Sequence, residues 1–155
     1  MVAPAALAAE PAFNKGLLSG TSSTRPTSLQ WGPDGRLYVA NQNGVIKAYT
    51  VVRSSSGSYA VSATETISLV NAMPNRDDDG ALNSTVKGRL VTGIAVSGSA
   101  GAPVIYIASS DPRIGGGESG GDTNLDTNSG VLSKLTKSGG TWTKLDLVRG
   151  LPRSE

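Results

Sequence analysis

The chain has neither cysteine nor histidine. The first absence excludes disulfides and thiolate metal sites and leaves the redox compartment open. The second removes the commonest general base and the commonest transition-metal ligand. No apolar run is long enough to cross a bilayer as a helix, so no membrane span is expected. Charge of one sign is also lacking. Lys and Arg number 14 against 12 Asp and Glu, for a net charge of +2. The basic residues are scattered (Lys15, Arg25, Arg36, Lys47, Arg53, Arg76, Lys87), so no basic patch for nucleic acid is expected.

What is present is a strand pattern that occurs twice in 155 residues. The first copy runs Ser28-Leu29-Gln30-Trp31, Arg36-Leu37-Tyr38-Val39-Ala40, Gly44-Val45-Ile46-Lys47 and Ser58-Tyr59-Ala60-Val61. The second runs Gly93-Ile94-Ala95-Val96, Val104-Ile105-Tyr106-Ile107-Ala108, Gly130-Val131-Leu132-Ser133 and Thr141-Trp142-Thr143-Lys144. These short β-branched and aromatic segments, bounded by turn residues, read as strands. Pro33-Asp34-Gly35 reads as a hairpin turn, because proline presets one corner and Asp-Gly tolerates positive φ. Residues 97–103 read as a longer loop in the same place of the second copy. Leu37 aligns with Ile105, but Gly44 aligns with Gly130 at a larger offset. The second copy therefore carries an insertion at 109–129, and repeat proteins put such insertions on one face, often the binding face. No long helix is read, and an Ala-rich helix at 1–9 rests only on propensity.

The expected fold class is all-β: antiparallel four-stranded blades of a β-propeller, with about two blades present. Blade one spans about 25–70, a connection 71–89 and blade two about 90–150. Propellers close with roughly four to eight blades. Two blades alone leave open sheet edges and uncovered faces. The expectation is self-association through those edges, further chain, or packing of the two sheets as a sandwich. Residues 1–24 read as a disordered segment or as the tail of a secretory signal, and the latter puts the protein in an extracellular or periplasmic compartment.

The run Pro26-Thr27-Ser28-Leu29-Gln30-Trp31-Gly32-Pro33-Asp34-Gly35-Arg36-Leu37-Tyr38 resembles the first blade of the soluble, pyrroloquinoline-quinone (PQQ)-dependent glucose/sorbosone dehydrogenases. Val104-Ile105-Tyr106-Ile107, Gly130-Val131-Leu132 and Leu147-Val148-Arg149-Gly150-Leu151-Pro152-Arg153-Ser154 follow in the order that family shows. The resemblance implies a six-bladed propeller with PQQ in a central cleft, calcium near it, and a sugar substrate in a longer parent. In the family a catalytic histidine follows the Leu-Pro-x-Ser segment, and that position falls beyond Glu155. No catalytic residue is assigned in this chain, which reads as an N-terminal fragment without turnover of its own. The competing expectation is a non-enzymatic carbohydrate- or protein-binding module.

Several residues are candidates for binding. Arg89 stands near the place of a family glutamine. Asp111, Arg113 and Glu118 share the insertion, where an arginine beside carboxylates suits a sugar hydroxyl or a cofactor carboxylate; the plain alternative is a surface ion pair. Asp122, Asn124, Asp126 and Asn128 alternate oxygen ligands as a calcium loop does. Thr127 replaces the glycine of such a loop and Ser133 its closing glutamate, so a loop held by Asx-turns is the alternative. Asn75, Asp77, Asp79 and Asn83 form a weaker run of the same kind with Val86 in place of the closing glutamate, and a solvated connection between blades is the preferred reading over a cation site. Gly115-Gly116-Gly117-Glu118-Ser119-Gly120 has dinucleotide-loop spacing but no surrounding βαβ unit. Trp31 and Trp142 are expected to be buried between sheets, with sugar stacking as the alternative. Asn83-Ser84-Thr85 is a glycosylation sequon.

Overall fold

The structure is a computed structural model that describes residues 15–77, 79–113 and 128–152. It is all-β, with no helix among the described residues. Four strands, β1 (Pro26–Trp31), β2 (Leu37–Asn41), β3 (Ile46–Arg53) and β4 (Tyr59–Ile67), form an antiparallel meander in chain order. After a small hairpin, β5 (Asn75–Arg76) and β6 (Leu82–Asn83), four more strands form a second meander. These are β7 (Leu90–Ser99), β8 (Ala102–Ser110), β9 (Gly130–Ser138) and β10 (Thr141–Leu151).

Each strand expected from the sequence is present, and the turns have the expected chemistry. Gly35 closes the first hairpin at φ +73°, with its N–H on the Gly32 carbonyl at 3.1 Å. The second hairpin differs from expectation. Residues 97–103 are mostly strand, because Ser99 pairs with Ala102 and only Ala100-Gly101 turn. Gly98 permits this at φ +93°, a backbone that L side chains rarely adopt.

The sheets pack face to face through one core. Tyr38, Ala40, Ile46, Ala48 and Ile67 from the first sheet meet Val96, Ile105, Ile107, Val131 and Leu135 from the second. Val70 and Met73 close one end. Strand β8 shows why this face is chosen. Ile105 and Ile107 point inward, while Val104, Tyr106 and Ala108 alternate to the other side. Each buried Ile contributes about 1.5–3 kcal/mol relative to exposure.

The first strands of the two sheets, β1 and β7, lie against each other. They belong to separate sheets, and Gln30 bridges them. Its amide accepts from the Val96 N–H at 2.8 Å and donates to the Val96 carbonyl at 2.9 Å. Residues 19–24 also lie on the first sheet: Ser19 bridges Ala60, and the Ser22 N–H donates to the Tyr49 hydroxyl.

Candidate functional site

The connection between the sheets is better ordered by polar contacts than its sequence suggests. Asn75 on β5 is buried, and its side-chain amide donates to the carbonyls of Val86 and Gly88 at 3.2 and 2.8 Å. Its Oδ1 accepts from Arg89 at 2.8 Å. The reading of Asn75 as a cation ligand is thereby corrected, since its carbonyl oxygen is held by a buried guanidinium. Asp79 accepts from the Ala81 N–H, as an Asx-turn does.

Arg89 sits just before β7 and is 3% exposed. Besides Asn75 it donates to the carbonyls of Ser109 and Ser129. It therefore ties both ends of the 109–129 insertion to the inter-sheet connection. Ser129 is shared, because its hydroxyl accepts from the Asp111 N–H at 3.0 Å. Asp111 is fully buried and accepts from Arg113 through both oxygens. Arg113 reaches on to Asp77 at 2.6 Å and to the Arg76 carbonyl at 2.7 Å. Hydrogen bonding to Asp111 raises the Arg113 pKa further above the ordinary guanidinium range. The same arginine, followed by Asn83, holds the Asp77 carboxyl below the usual carboxylate range. The fold thus brings Arg89, through Ser129, to Asp111 and Arg113, which lie more than twenty positions further along the chain. Glu118, Asp122, Asn124 and Asp126 lie outside the described residues, as does the 115–120 glycine run. Among the described residues no three carboxylates converge as a metal site would require.

Asn128, at the edge of that insertion, lines a cleft of about 420 Å³. Arg89 and Ser129 line it too, with Arg76 from β5 and Lys144 and Arg149 from β10. Its apolar wall is Leu69, Met73 and Val131. Asp146 stands behind Lys144 and Arg149 and accepts from both. Burial raises the Asp146 pKa, but hydrogen bonds from Lys144 and Ser133 outweigh it, so the carboxyl stays below its ordinary value. Four cations and no carboxylate line the wall, so the cleft suits an anionic group beside an apolar one. No family model, curated protein or solved structure matches the chain.

A second polar cluster joins the sheets at the other end of the core. Asp34, Arg36 and Tyr38 share one face at alternate positions and hydrogen-bond to one another. Arg36 also donates to Glu65 on β4. Glu65 in turn accepts from Lys137 at 2.8 Å and from the Trp142 indole at 3.0 Å, both on the second sheet. Burial disfavours the Arg36 charge, yet hydrogen bonds to Glu65 and Asp34 win and raise its pKa. Burial, then the hydrogen bond to Asp34, pushes the Tyr38 hydroxyl well above its ordinary value. Of this set, sequence reasoning singled out only Trp142. The alternation of Asp34, Arg36 and Tyr38 was the available signal, but Glu65, Lys137 and Trp142 join only through sheet packing.

The tryptophans divide. Trp142 is part-buried, with its ring edge-on to Tyr38 at 6.3 Å. Trp31 is 55% exposed, which corrects the expectation of burial. It points to the side of β1 away from the second sheet, as Leu29 does. In the sequon, the Asn83 amide already donates to Asp77.

Proposed function

We propose that the two sheets are neighbouring blades of a β-propeller, and that the chain is the N-terminal part of a quinone-dependent sugar dehydrogenase-like protein without turnover of its own. The observation that carries this reading is the stacking of two four-stranded meanders through their first strands, β1 and β7. Propeller blades are four-stranded antiparallel units arranged around a central channel. The motif order from Pro26 to Leu151 supports the dehydrogenase class. Fold alone does not choose the chemistry.

The cleft cations suit the carboxylates of PQQ in charge, and Arg76, Lys144 and Arg149 would hold them, while Arg89 braces the wall behind through Asn75, Ser109 and Ser129. When bound, the quinone would supply the electron acceptor for sugar oxidation. No histidine is available to take the sugar proton. Calcium, where present, would fall to Asp122, Asn124, Asp126 and Asn128. An extracellular or periplasmic location fits this class. The test is an assay with PQQ, Ca²⁺, an aldose and a dye acceptor. No dye reduction is expected, and saturable reduction overturns the inactive-fragment reading.

The cleft itself favours a second reading, a non-enzymatic binding module. Cations beside an apolar wall suit an acidic carbohydrate or an acidic protein segment. Calorimetric titration with acidic and neutral oligosaccharides separates the two: acidic ligands alone should bind, and Lys144→Gln should weaken them.

A further inference from the structure

We infer that the cleft between β10 and the inter-sheet connection binds a small phosphate monoester, with its dianionic phosphoryl group on Arg76, Lys144 and Arg149 and its ester body on the apolar wall. This rests on the reading of that cleft as the anion site of a binding module and narrows the anion; it is independent of the dehydrogenase reading.

Strand β10 is bent to build the cationic wall. Lys144 and Asp146 lie two positions apart and share the inner face. Arg149, three positions after Asp146, belongs on the opposite face of a regular strand. The register shifts between Asp146 and Val148, so Leu147 is an extra residue and Arg149 pairs with the inward-facing Val131. A bulge that re-aims a side chain in this way is a feature of functional sites. Here it brings Arg149 to the same carboxylate as Lys144: one donates to each oxygen of Asp146. The buried Ser133 hydroxyl donates to Asp146 at 2.6 Å and fixes it from behind.

Asp146 decides which anions bind well. A carboxylate or a sulfate monoester brings one negative charge to two cations that already share one. Asp146 competes with it from the same strand, at a high effective concentration. A dianion brings twice the charge, and the attraction scales with it. The third cation, Arg76, stands on β5 and donates to the Gly80 carbonyl at 2.7 Å; among the described residues it meets no carboxylate. Three cations against one carboxylate leave two positive charges on the wall. That is the charge of a phosphate monoester above its second pKa of about 6, and its three terminal oxygens match three cationic donors.

The remaining lining fits the ester body. Leu69, Met73 and Val131 pack in or against the core, so the apolar side of the cleft is the open end of that core. Among the described residues no aromatic ring lines the cleft. Its volume of about 420 Å³ lies toward the small end of ligand pockets, which suits a small ester.

The test is isothermal titration of the full chain at low ionic strength and pH 8 with phenyl phosphate, its monoanionic isostere phenyl sulfate, and inorganic phosphate. Phenyl phosphate should bind at least about tenfold more tightly than phenyl sulfate, and more tightly than inorganic phosphate, which lacks the body. Arg76→Gln should weaken phenyl phosphate about tenfold. Asp146→Asn should tighten phenyl sulfate and close most of the gap between the two esters. Circular dichroism checks the fold of each variant. Arg76→Gln changes an exposed side chain, so it tests the inference even where Asp146→Asn does not fold. Equal affinity for the two esters, or phenyl phosphate binding that survives Arg76→Gln, overturns the inference while acidic oligosaccharides can still bind. A chain that binds neither the esters nor acidic oligosaccharides overturns the anion site as well.

Discussion

Arg89 is the residue on which most of the connection depends. Its guanidinium serves acceptors from three separate segments: Asn75, Ser109 and Ser129. Removing a buried donor leaves its acceptors unsatisfied, at about 1–3 kcal/mol each. Arg89→Met should therefore lose about 3–5 kcal/mol in urea unfolding, as breaking other buried charge clusters does. Arg113→Met should also cost several kcal/mol although Arg113 is itself 24% exposed, because it leaves the fully buried Asp111 carboxylate without its partner. A loss in Arg89→Met no larger than a surface substitution gives would place Arg89 at the surface. The sequence marked Arg89 as interesting, but not as buried. Its partners lie 14 to 40 positions away, beyond any local pattern.

Among the elements, the strands of both meanders were legible and the short hairpin was not. Ile105 and Ile107 alternate with Val104, Tyr106 and Ala108, and such alternation has one structural solution. Strands β5 and β6 contain Asn75-Arg76 and Leu82-Asn83 and show no apolar period. They pair because the turn between them closes, with the Gly80 N–H on the Asp77 carbonyl at 2.8 Å. Two turn glycines give a comparison with a clear sign. Gly35 and Gly98 both have positive φ, where an L residue costs about 1–2 kcal/mol. A Cβ at Gly35 meets nothing within 4 Å, whereas at Gly98 it lies 2.4 Å from the Ala102 carbonyl oxygen. Gly98→Ala should therefore lower the melting temperature more than Gly35→Ala, by the equivalent of at least ~1 kcal/mol of overpacking. The reverse order would contradict the tight turn after Ser99.

At the scale of the molecule, Glu65 couples the two sheets electrostatically. Burial raises its pKa, but hydrogen bonds from Lys137 and Arg36 outweigh this and hold it below its ordinary 4.5. For Asp34, burial is likewise outweighed by hydrogen bonds from Arg36 and Tyr38, below an ordinary 3.8. A carboxylate whose pKa is depressed on folding adds stability above its unfolded pKa, and that stability is lost as pH falls through the folded value. The melting temperature should be level above about pH 5 and drop below about pH 4.5. In Glu65→Gln it should be lower at neutral pH, with a shallower acid limb. An unchanged acid limb would mean that Glu65 does not bridge the sheets in solution.

Residue types and their spacing determined the all-β class, the two four-strand repeats and the positions of most turns, because strand alternation and turn stereochemistry are local. They also determined that no histidine or thiol chemistry is available. Only the tertiary structure decided what the polar residues do. Asn75 and Arg89 became a buried brace, Glu65 a link between sheets, and Arg76, Lys144 and Arg149 one wall of a cleft, because each depends on which sheet faces packed together. The same packing left Trp31 and Leu145 outside, on faces whose counterparts are buried.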